Sequence, residues 1–445
     1  MLFKINKYLV KICAIINFNS VYGLEEISFP KIWEMVVKNS YINKSLNLMI
    51  ESSNSSVDRQ SRYWLPSLYV NSQFMSTNDP TLTFINYLGE GQVKQEDFVP
   101  STLNTPSYNS FNSTQIGLNF LLYDGSSRAS YSKAQKHASK ALEYKKNSEL
   151  VNLYVKTLRE YSNIINAENY LKELNETEKN VEKLINNYHI GEKSNPVGYS
   201  GLLSLKAIMN KINFLIHDIN TNIKNSKVTL NLMAGNKNKE WKILNLPIEK
   251  FVSIYFNKSN SSPSSYQYLE QMEKSFSIKE KITAEKAKYL PKIGLFSQAN
   301  IFGGDRGIKK SYIFGINITL NFMASDLGAA SEVELLSQAK EEAAREIDLS
   351  EKIMSEISEE NLRSINVKLD LTLNNEEILN EQLKVLSSLF KNGSTSVAQI
   401  TEVYNKKTDI LQNKYTLKKY LLDADLAKIS LSQKNVEPKD IWSLK

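Results

Sequence analysis

Two long stretches of the chain lack both glycine and proline, and their apolar residues recur with the spacing of a helix. They cover residues 126–190 and 329–392, and a glycine stands on each side of both. Because glycine is the usual residue where a helix ends in a left-handed cap, we predict hairpin turns at Gly191 and Gly393. A helix of 64 residues is about 96 Å long at about 1.5 Å per residue, which exceeds the diameter of a small domain.

The apolar positions inside these stretches follow the three-and-four spacing of coiled coils. Several of them are alanines, which favours close packing between helices. The positions are Ala134, Ala138, Ala141, Val151, Val155, Leu158, Ile165, Leu171, Leu174, Val181, Ile185 and Tyr188 in the first stretch, and Leu335, Ala339, Ala343, Ile347 and Met354 in the second. The spacing predicts long packed helices, and by itself it is also typical of a filamentous coiled coil.

Shorter helical patterns flank the long ones in both halves of the chain. We predict helices at residues 29–62 and 197–233 in the first half and at 264–289 and 396–433 in the second. In each half the two short helices together are about as long as one long helix. They could therefore stack end to end along it.

Four segments between the helices alternate apolar and polar residues, and we predict them to be strands. They lie at residues 65–76, 112–123, 291–302 and 311–322. A period of two gives each strand one apolar and one polar face, and strands of about 9–11 residues can cross a bilayer when tilted. The polar faces carry Asn, Gln, Ser and Gly with hardly any charge, which is typical of the lumen of a transmembrane barrel.

We therefore predict that the polar face lines a lumen and that the apolar face, which includes Leu118 and Ile316, contacts lipid. The predicted lumen residues are Asn71, Gln73, Asn119, Gln298 and Asn317. Four strands cannot close such a barrel, and an open sheet edge in lipid is very costly. Closure therefore indicates several copies, and three copies would supply twelve strands, an even number in the usual range.

The order helix, strand, strand, long helix, glycine turn, helix occurs twice. Pro66 and Pro291 each stand at a helix-to-strand junction, which suits proline because it cannot continue a helix. Residues 63–68 match 288–293, residues 116–119 match 314–317, and residues 188–191 match 390–393. We place the first repeat at 24–235, an inter-repeat segment at 236–262, the second repeat at 263–433 and a C-terminal tail at 434–445.

Residues 1–23 are predicted to be a signal peptide. Lysines precede an apolar stretch at residues 12–18, and the small residue Gly23 stands just before two glutamates, as near a cleavage site. A buried N-terminal helix is the alternative. The single cysteine, Cys13, lies in this segment, so the sequence excludes a disulfide framework and a Cys-rich zinc module.

Composition and motifs give no indication of catalysis. The net charge of +7 is partly due to residues 1–23 and is otherwise spread over a mixed surface, so we expect no nucleic-acid partner. The three histidines are scattered, and the chain has no Walker loop, no His-Glu-x-x-His and no Gly-x-Ser-x-Gly motif. The chain contains no run of 18 apolar residues, so the sequence predicts no helical membrane span. We expect no enzyme activity, metal or cofactor.

The doubled pattern resembles the TolC-like outer membrane efflux proteins, which are also called outer membrane factors. Residues 121–125, Leu-Leu-Tyr-Asp-Gly, look like the strand-to-helix junction of that family, and residues 84–112 look like the long first external loop of one of its branches. The resemblance covers about residues 25–433. Residues 321–326 lack the Asp-Gly-Gly run of the family, and residues 192–196 look like an insertion.

The resemblance implies a mixed α/β membrane protein with an internal structural repeat. It would be a homotrimer whose chains share a 12-stranded β-barrel in the bacterial outer membrane and an α-barrel of coiled-coil helices in the periplasm. Residues 236–262 would belong to an equatorial belt. The protein would conduct cargo passively, in efflux or type I secretion, with a periplasmic adaptor (membrane fusion) protein and an inner-membrane ABC or RND transporter as partners.

The resemblance also implies a periplasmic gate near the start of the last helix. In the family, acidic residues at two positions there form rings around the tunnel entrance. The corresponding residues in this chain are Gln399 and Glu402, so only one of the two is acidic. The alternative is that Glu402 is an exposed residue that favours the N-terminal part of a helix.

Two other classes of protein also contain long helices. A periplasmic adaptor has a long helical hairpin only once and lacks the Leu-Pro strand openings, and a structural filament lacks paired strands at matching places in both halves. Both are therefore less favoured than a channel. The sequence leaves open whether the cargo is a protein or a small toxic molecule.

Overall fold

The computed structural model describes residues 25–188, 195–236, 241–253, 265–391 and 395–431, together with Val436 and Pro438. The predicted signal peptide and the predicted turn residues Gly191 and Gly393 lie outside the described residues. The chain folds into two compact units. The strand unit comprises Leu46–Lys146 and Gln267–Asp348, and the helical unit comprises Met1–Ser45, Asn147–Tyr266 and Leu349–Lys445.

The described helices follow the duplicated order predicted from the sequence. They are α1 (Phe29–Asn39), α2 (Tyr41–Ser61), α3 (Pro80–Glu90), α4 (Pro100–Asn104), α5 (Ser127–Asn186), α6 (Pro196–Met233), α7 (Ile248–Ser253), α8 (Tyr266–Lys286), α9 (Ala329–Lys391) and α10 (Val397–Ser430). Short 3-10 helices lie at Gln95–Phe98, Ala287–Tyr289 and Ala324–Asp326.

Six described strands form two sheets. They are β1 (Glu25–Ile27), β2 (Ser67–Thr77), β3 (Asn109–Tyr123), β4 (Trp241–Ile243), β5 (Lys292–Gly304) and β6 (Gly307–Thr319). The larger sheet has the order β2-β3-β5-β6, and all its pairs are antiparallel. Its centre joins the two repeats, because β3 of the first pairs with β5 of the second.

The helical unit has a core rich in aromatic residues. Phe29 and Trp33 on α1 are fully buried and lie edge-on to the ring of Tyr154 on α5. The indole nitrogen of Trp33 donates a hydrogen bond to the carbonyl oxygen of Val436 at 2.8 Å, which holds this part of the C-terminal tail. Such edge-to-face aromatic pairs stabilise a core by about 0.5–1.5 kcal/mol each beyond area burial.

The start of the described chain and the inter-repeat segment are joined by the small sheet. Strands β1 and β4 pair in parallel, with Glu25 opposite Trp241 and Ile27 opposite Ile243. Lys242 and Glu26 form an ion pair at 2.6 Å beside this pairing. The sequence pattern did not predict these strands, because three residues are too few for a period of two to be recognised.

Several predicted boundaries differ from the structure. The helix predicted at 29–62 is divided into α1 and α2, because Ser40 has an extended backbone with a ψ of 116°. The last strand ends at Thr319 and not at residue 322, and the 3-10 turn at Ala324–Asp326 precedes the long helix. That helix begins after Gly328, whose φ of +91° is in the left-handed region.

The apolar positions predicted along the second long helix are not buried within a single chain. Leu335, Ala339, Ala343 and Met354 are exposed, and Ile347 is only partly buried. The residues of α9 that are buried within the chain lie on another face: Ser337, Ala344, Ser358, Ile365, Leu379 and Leu383. Spacing alone therefore identified a helix but not which of its faces packs inside the chain.

Candidate channel wall and gate

The register of the large sheet places all five predicted lumen residues on the same face. Directly opposed residues of antiparallel strands point to one side of a sheet, and Asn71 opposes Gln115, which opposes Asn300. Alternation along each strand then puts Asn71, Gln73, Asn119, Gln298 and Asn317 on this side. We call it the polar face and the opposite side the apolar face.

Hydrogen bonds and charge further define the polar face. The Tyr69 hydroxyl donates to Oε1 of Gln298 at 2.9 Å, across β3. The structure describes all residues of the four strands, and the only charged ones on this face are Lys292 and Lys309, one near each end of the sheet. The face can therefore be wetted and offers hydrogen bonds, but it carries no carboxylate.

The apolar face is uncovered in the part of the chain that the structure describes. Its aliphatic and aromatic residues come into register across the strands, as in the row Val70, Ile116, Ala299 and Tyr312. Phe314 is 77% exposed and Leu68 is 67% exposed. Contiguous apolar surface of this kind marks contact with a membrane or another protein.

The two repeats make different side-chain contacts around their helix-to-strand junctions. Pro66 precedes β2, and Pro291 precedes β5. In the first repeat Arg128, at the start of α5, binds Asp124 at 2.9 Å and also donates to the carbonyl oxygens of Tyr63 and Leu121.

At the second junction the contacts come from Lys288, which precedes β5. Its amino group lies 2.7 Å from Glu285 and 3.5 Å from Asp326, whose carbonyl oxygen accepts a hydrogen bond from the Tyr289 hydroxyl. The predicted departure from the family pattern at residues 321–326 therefore coincides with a different way of fixing the helix start.

The candidate gate residues lie on the first turns of α10. Ser396 caps this helix by accepting a hydrogen bond from the Gln399 amide at 3.4 Å, and Thr395 donates to Oε1 of Gln399 at 2.6 Å. Glu402 forms an ion pair with Lys406, one turn further along, at 2.7 Å. The Lys406 hydrogen bond lowers the pKa of the exposed Glu402 carboxyl, so Glu402 is ionised at neutral pH.

The ends of the two long hairpins come together beside these residues. The rings of Tyr188 and Phe390, which correspond in the two repeats, stack with centroids 5.9 Å apart. The turns themselves, with Gly191 and Gly393, are outside the described residues. Phe390 packs against a hydrophobic cluster of α5, α6, α9 and α10 that includes Val181, Ile212 and Ile400.

A buried charge cluster that the sequence did not reveal joins three helices. Lys414 on α10 binds Glu173 on α5 and Glu376 on α9, each at 2.8 Å, and its side chain is only 9% exposed. Burial opposes the charge of Lys414, but the hydrogen bonds to both glutamates outweigh it and raise the pKa of the lysine. Burial lowers the pKa of the neighbouring Lys407.

Helix α9 presents a second apolar stripe that no other described residue covers. Its members follow heptad spacing, and each is at least half exposed: Ile353, Ile357, Val367, Leu371, Ile378 and Val385. Such spacing is typical of a helix that packs against another helix.

The segment between β2 and β3, which the resemblance marked only as a long external loop, contains helices that the sequence did not predict. Residues between β2 and β3 form α3, a 3-10 turn and α4. Asp97 in this segment binds Arg306 of the β5–β6 turn through two hydrogen bonds, at 2.7 and 2.9 Å. The Arg306 guanidinium also lies 3.4 Å from the ring centroid of Tyr87.

The described residues contain no arrangement that points to other chemistry. No helix among them has the length and hydropathy needed to span a membrane. No group of three or more histidine, cysteine, aspartate or glutamate side chains among them is placed to hold a metal ion.

Comparison with solved structures shows the fold. The chain is similar to CusC, described as forming a transmembrane channel, with 13% identity, a TM-score of 0.71 and coverage of 93% of this chain and 94% of that one. It is similar to the CmeC outer membrane channel of Campylobacter jejuni (15% identity, TM-score 0.69, coverage 94% and 89%). It also resembles the outer membrane protein VceC of Vibrio cholerae, with 8% identity, a TM-score of 0.71 and coverage of 91% of this chain and 97% of that one.

No family model and no curated protein matches the chain. The structural likeness nevertheless extends over nearly the full length of each of the three similar proteins. The resemblance predicted from the sequence is therefore confirmed at the level of the fold: this is a mixed helix and sheet chain with the architecture of outer membrane factor channels.

Proposed function

We propose that three copies of this chain form a channel across the bacterial outer membrane and conduct cargo passively from the periplasm to the exterior. The observation that carries the proposal is the sheet, which has one predominantly polar and one predominantly apolar face and whose outer strands β2 and β6 pair with no further strand among the described residues. In lipid, unpaired strand edges are tolerated only if the sheet closes into a barrel.

Three copies satisfy this requirement with twelve strands. The exposed stripe on α9 supports the same assembly, because neighbouring copies would cover apolar residues that a single chain leaves in water. The helices would then form the periplasmic tunnel. An adaptor protein and an inner-membrane ABC or RND transporter would deliver the cargo and supply the energy, since the chain has no catalytic motif of its own.

The first test is the oligomeric state. Detergent-extracted protein that has not been heated should migrate near three times the 50.8 kDa of the full chain, less the signal segment. The physical reason is edge closure, which no monomer can achieve. Analytical ultracentrifugation in detergent would give the mass, and a monomer that keeps its β-structure would contradict the proposal.

The same preparation distinguishes the alternative functions. A periplasmic adaptor or a filament would be recovered in the soluble periplasmic fraction, whereas a channel should remain with outer membranes and conduct ions in planar bilayers. Co-purification of a transporter would then separate efflux from type I secretion, because the two systems use different inner-membrane partners.

We place the periplasmic gate at Gln399 and Glu402. Three copies of Glu402 around the axis would raise the local concentration of cations, although each is partly neutralised by its own Lys406. We expect Glu402→Lys to shift the reversal potential in a salt gradient toward lower cation selectivity without loss of the trimer. Lys406→Gln should shift it the opposite way.

A matched substitution at Gln399 tests the second of the two acidic rings that the family resemblance implies. Gln399→Asp would restore the acidic residue that the family pattern leads us to expect, so it should strengthen block by multivalent cations. If the reversal potential is the same in wild type, Glu402→Lys and Lys406→Gln, Glu402 is a surface residue with no part in ion selection.

A further inference from the structure

The charged residues on the polar face of the sheet are both lysines. Lys292 is the first residue of β5, at the end of the sheet that adjoins the helices, and it opposes Thr319. Alternation along β5 puts Lys292 on the same side as Gln298, and both Lys292 and Thr319 are exposed. Lys309 lies on this side near the other end of the sheet. A lysine side chain in water is positively charged at neutral pH, so the face has a positive net charge.

The charge of Lys292 is not compensated by a neighbouring carboxylate. Three carboxylates near the same end are bound by other cations, in the pairs Asp124–Arg128, Glu285–Lys288 and Asp326–Lys288, at 2.9, 2.7 and 3.5 Å. Among the described residues, no carboxylate oxygen lies within 4.0 Å of the Lys292 amino group. Lys292 therefore presents its charge to the space in front of the polar face.

The lysine at the opposite end is less accessible to a passing ion. A Cβ at Gly91 would be 2.7 Å from the Lys309 amino nitrogen, so the end of α3 lies against this side chain. Glu90, the preceding residue, accepts a hydrogen bond from the Arg306 amide at 3.2 Å, which brings a carboxylate to the same end of the sheet. Lys292 is therefore the stronger candidate for an interaction with ions in the lumen.

In a closed barrel of three copies, the charge of Lys292 would occur three times around the lumen. Strands about 4.8 Å apart and tilted by about 40° give a twelve-stranded barrel a radius of roughly 12 Å. The Debye length is about 8 Å at 0.15 M salt and about 30 Å at 0.01 M salt. The fields of the three lysines therefore overlap on the axis at low salt, and every ion that crosses the barrel experiences them.

We propose that Lys292 of the three copies forms a cationic ring in the barrel lumen, which attracts carboxylate or phosphate groups of the cargo and disfavours cationic cargo. This inference rests on the proposed function, because only a closed barrel arranges three copies of one strand around a lumen. The ring is opposite in sign to the three Glu402 residues of the gate. The gate would therefore concentrate cations, and the ring would concentrate anions.

Inorganic tripolyphosphate tests the ring, because it carries several negative charges. Added to both sides of a planar bilayer in salt of about 0.01 M, it should reduce the current through the wild-type channel. In Lys292→Gln the half-blocking concentration should rise at least about tenfold, since a multivalent anion loses its attraction to three charges. Lys310→Gln is the control, because it removes the same charge from the apolar face and should leave the block unchanged.

Moving the charge to the next strand distinguishes a field in the lumen from a specific contact of Lys292. Thr319 opposes Lys292 on the same face, so Lys292→Gln/Thr319→Lys rebuilds the ring at the same level. This double variant should regain the half-blocking concentration of the wild type within about threefold. Thr319→Lys alone doubles the number of charges at this level, so it should be blocked at a lower concentration than the wild type.

Removal of the acidic gate isolates the contribution of the ring to ion selection. In the Glu402→Gln background, the reversal potential in a gradient of potassium chloride gives the ratio of chloride to potassium permeability. Adding Lys292→Glu should lower this ratio at least about threefold at low salt, because three positive charges become three negative ones.

The outcomes separate the ring from the channel. A wild-type channel that tripolyphosphate does not block, an equal block in wild type and Lys292→Gln, or a block that Thr319→Lys fails to restore would overturn the ring and leave the channel in place. An unchanged permeability ratio on addition of Lys292→Glu would do the same. A wild-type protein that forms no channel at all would instead overturn the proposed function.

Discussion

Leu118→Lys is expected to abolish or strongly reduce assembly of the channel. Leu118 lies near the middle of β3 on the apolar face, opposite Leu68 on one side and Ser297 on the other. If this face contacts lipid, a lysine near the bilayer midplane destabilises each chain by about 2–4 kcal/mol. The measurement is the fraction of protein that migrates as a heat-sensitive trimer after extraction from membranes.

The neighbouring residue provides the matched control. Asn119 points to the polar face and is already a hydrogen-bonding side chain, so Asn119→Lys should leave the trimer intact and change only ion conduction. Ile316→Lys and Asn317→Lys repeat the comparison in the second repeat. Equal losses of trimer in both members of a pair would show that the two faces of the sheet are not divided between lipid and lumen.

The division of the sheet into two faces was predictable because a strand has a period of two, and a shift by one residue would expose the whole apolar set on the other side. This is why Asn71 on β2 and Asn317 on β6 could be assigned to one face without knowledge of the pairing. The long helices were equally predictable, since the absence of glycine and proline is a local signal that does not depend on packing.

The external segment could not be predicted in the same way. Its anchor joins Arg306 to Asp97, 209 residues earlier in the chain, and neither residue belongs to a recognisable motif. Helix α3 is short and lies in a stretch that the family resemblance marked only as a loop. The contacts of α3 depend on the register of the sheet, so they could be identified only once β5 and β6 had been placed.

The charge cluster at Lys414 shows which contacts between the helices could not be predicted from the sequence. Lysine and glutamate on a helix are normally solvated, and the sequence gives no sign that Lys414 differs from other lysines of α10. What distinguishes it is the arrangement of α5, α9 and α10 around it. Glu173 is 241 residues away in the chain, so only the tertiary fold brings the pair together.

We expect Lys414→Met to destabilise the helical unit by at least roughly 2 kcal/mol. Removal of one partner leaves buried charge without compensation, which costs about 3–5 kcal/mol in fully buried pairs, and the value here is smaller because Glu173 is 35% exposed. Guanidinium unfolding followed by helical circular dichroism gives the change. Lys418→Met, at an exposed position of α10, should stay within about 0.5 kcal/mol of wild type.

A compensated variant shows whether uncompensated charge is the cause. In Lys414→Met/Glu173→Gln/Glu376→Gln the carboxylates that lost their partner are replaced by neutral amides of similar size. Since the cost comes from the unpaired charge and not from the lost attraction alone, this variant should regain a large part of the stability. If it is less stable than Lys414→Met, the cluster contributes through specific hydrogen bonds and not through charge balance.

The pH dependence of the wild type gives an independent check with a definite sign. Because the pKa of Lys414 is raised in the folded chain from its ordinary 10.5, the contribution of its charge is fully present below about pH 10.5 and is lost as the pH rises through the folded value. The stability difference between wild type and Lys414→Met should therefore be constant from pH 7 to 9 and shrink only at more alkaline pH. A difference that already disappears near neutral pH would mean that Lys414 is not held protonated by Glu173 and Glu376.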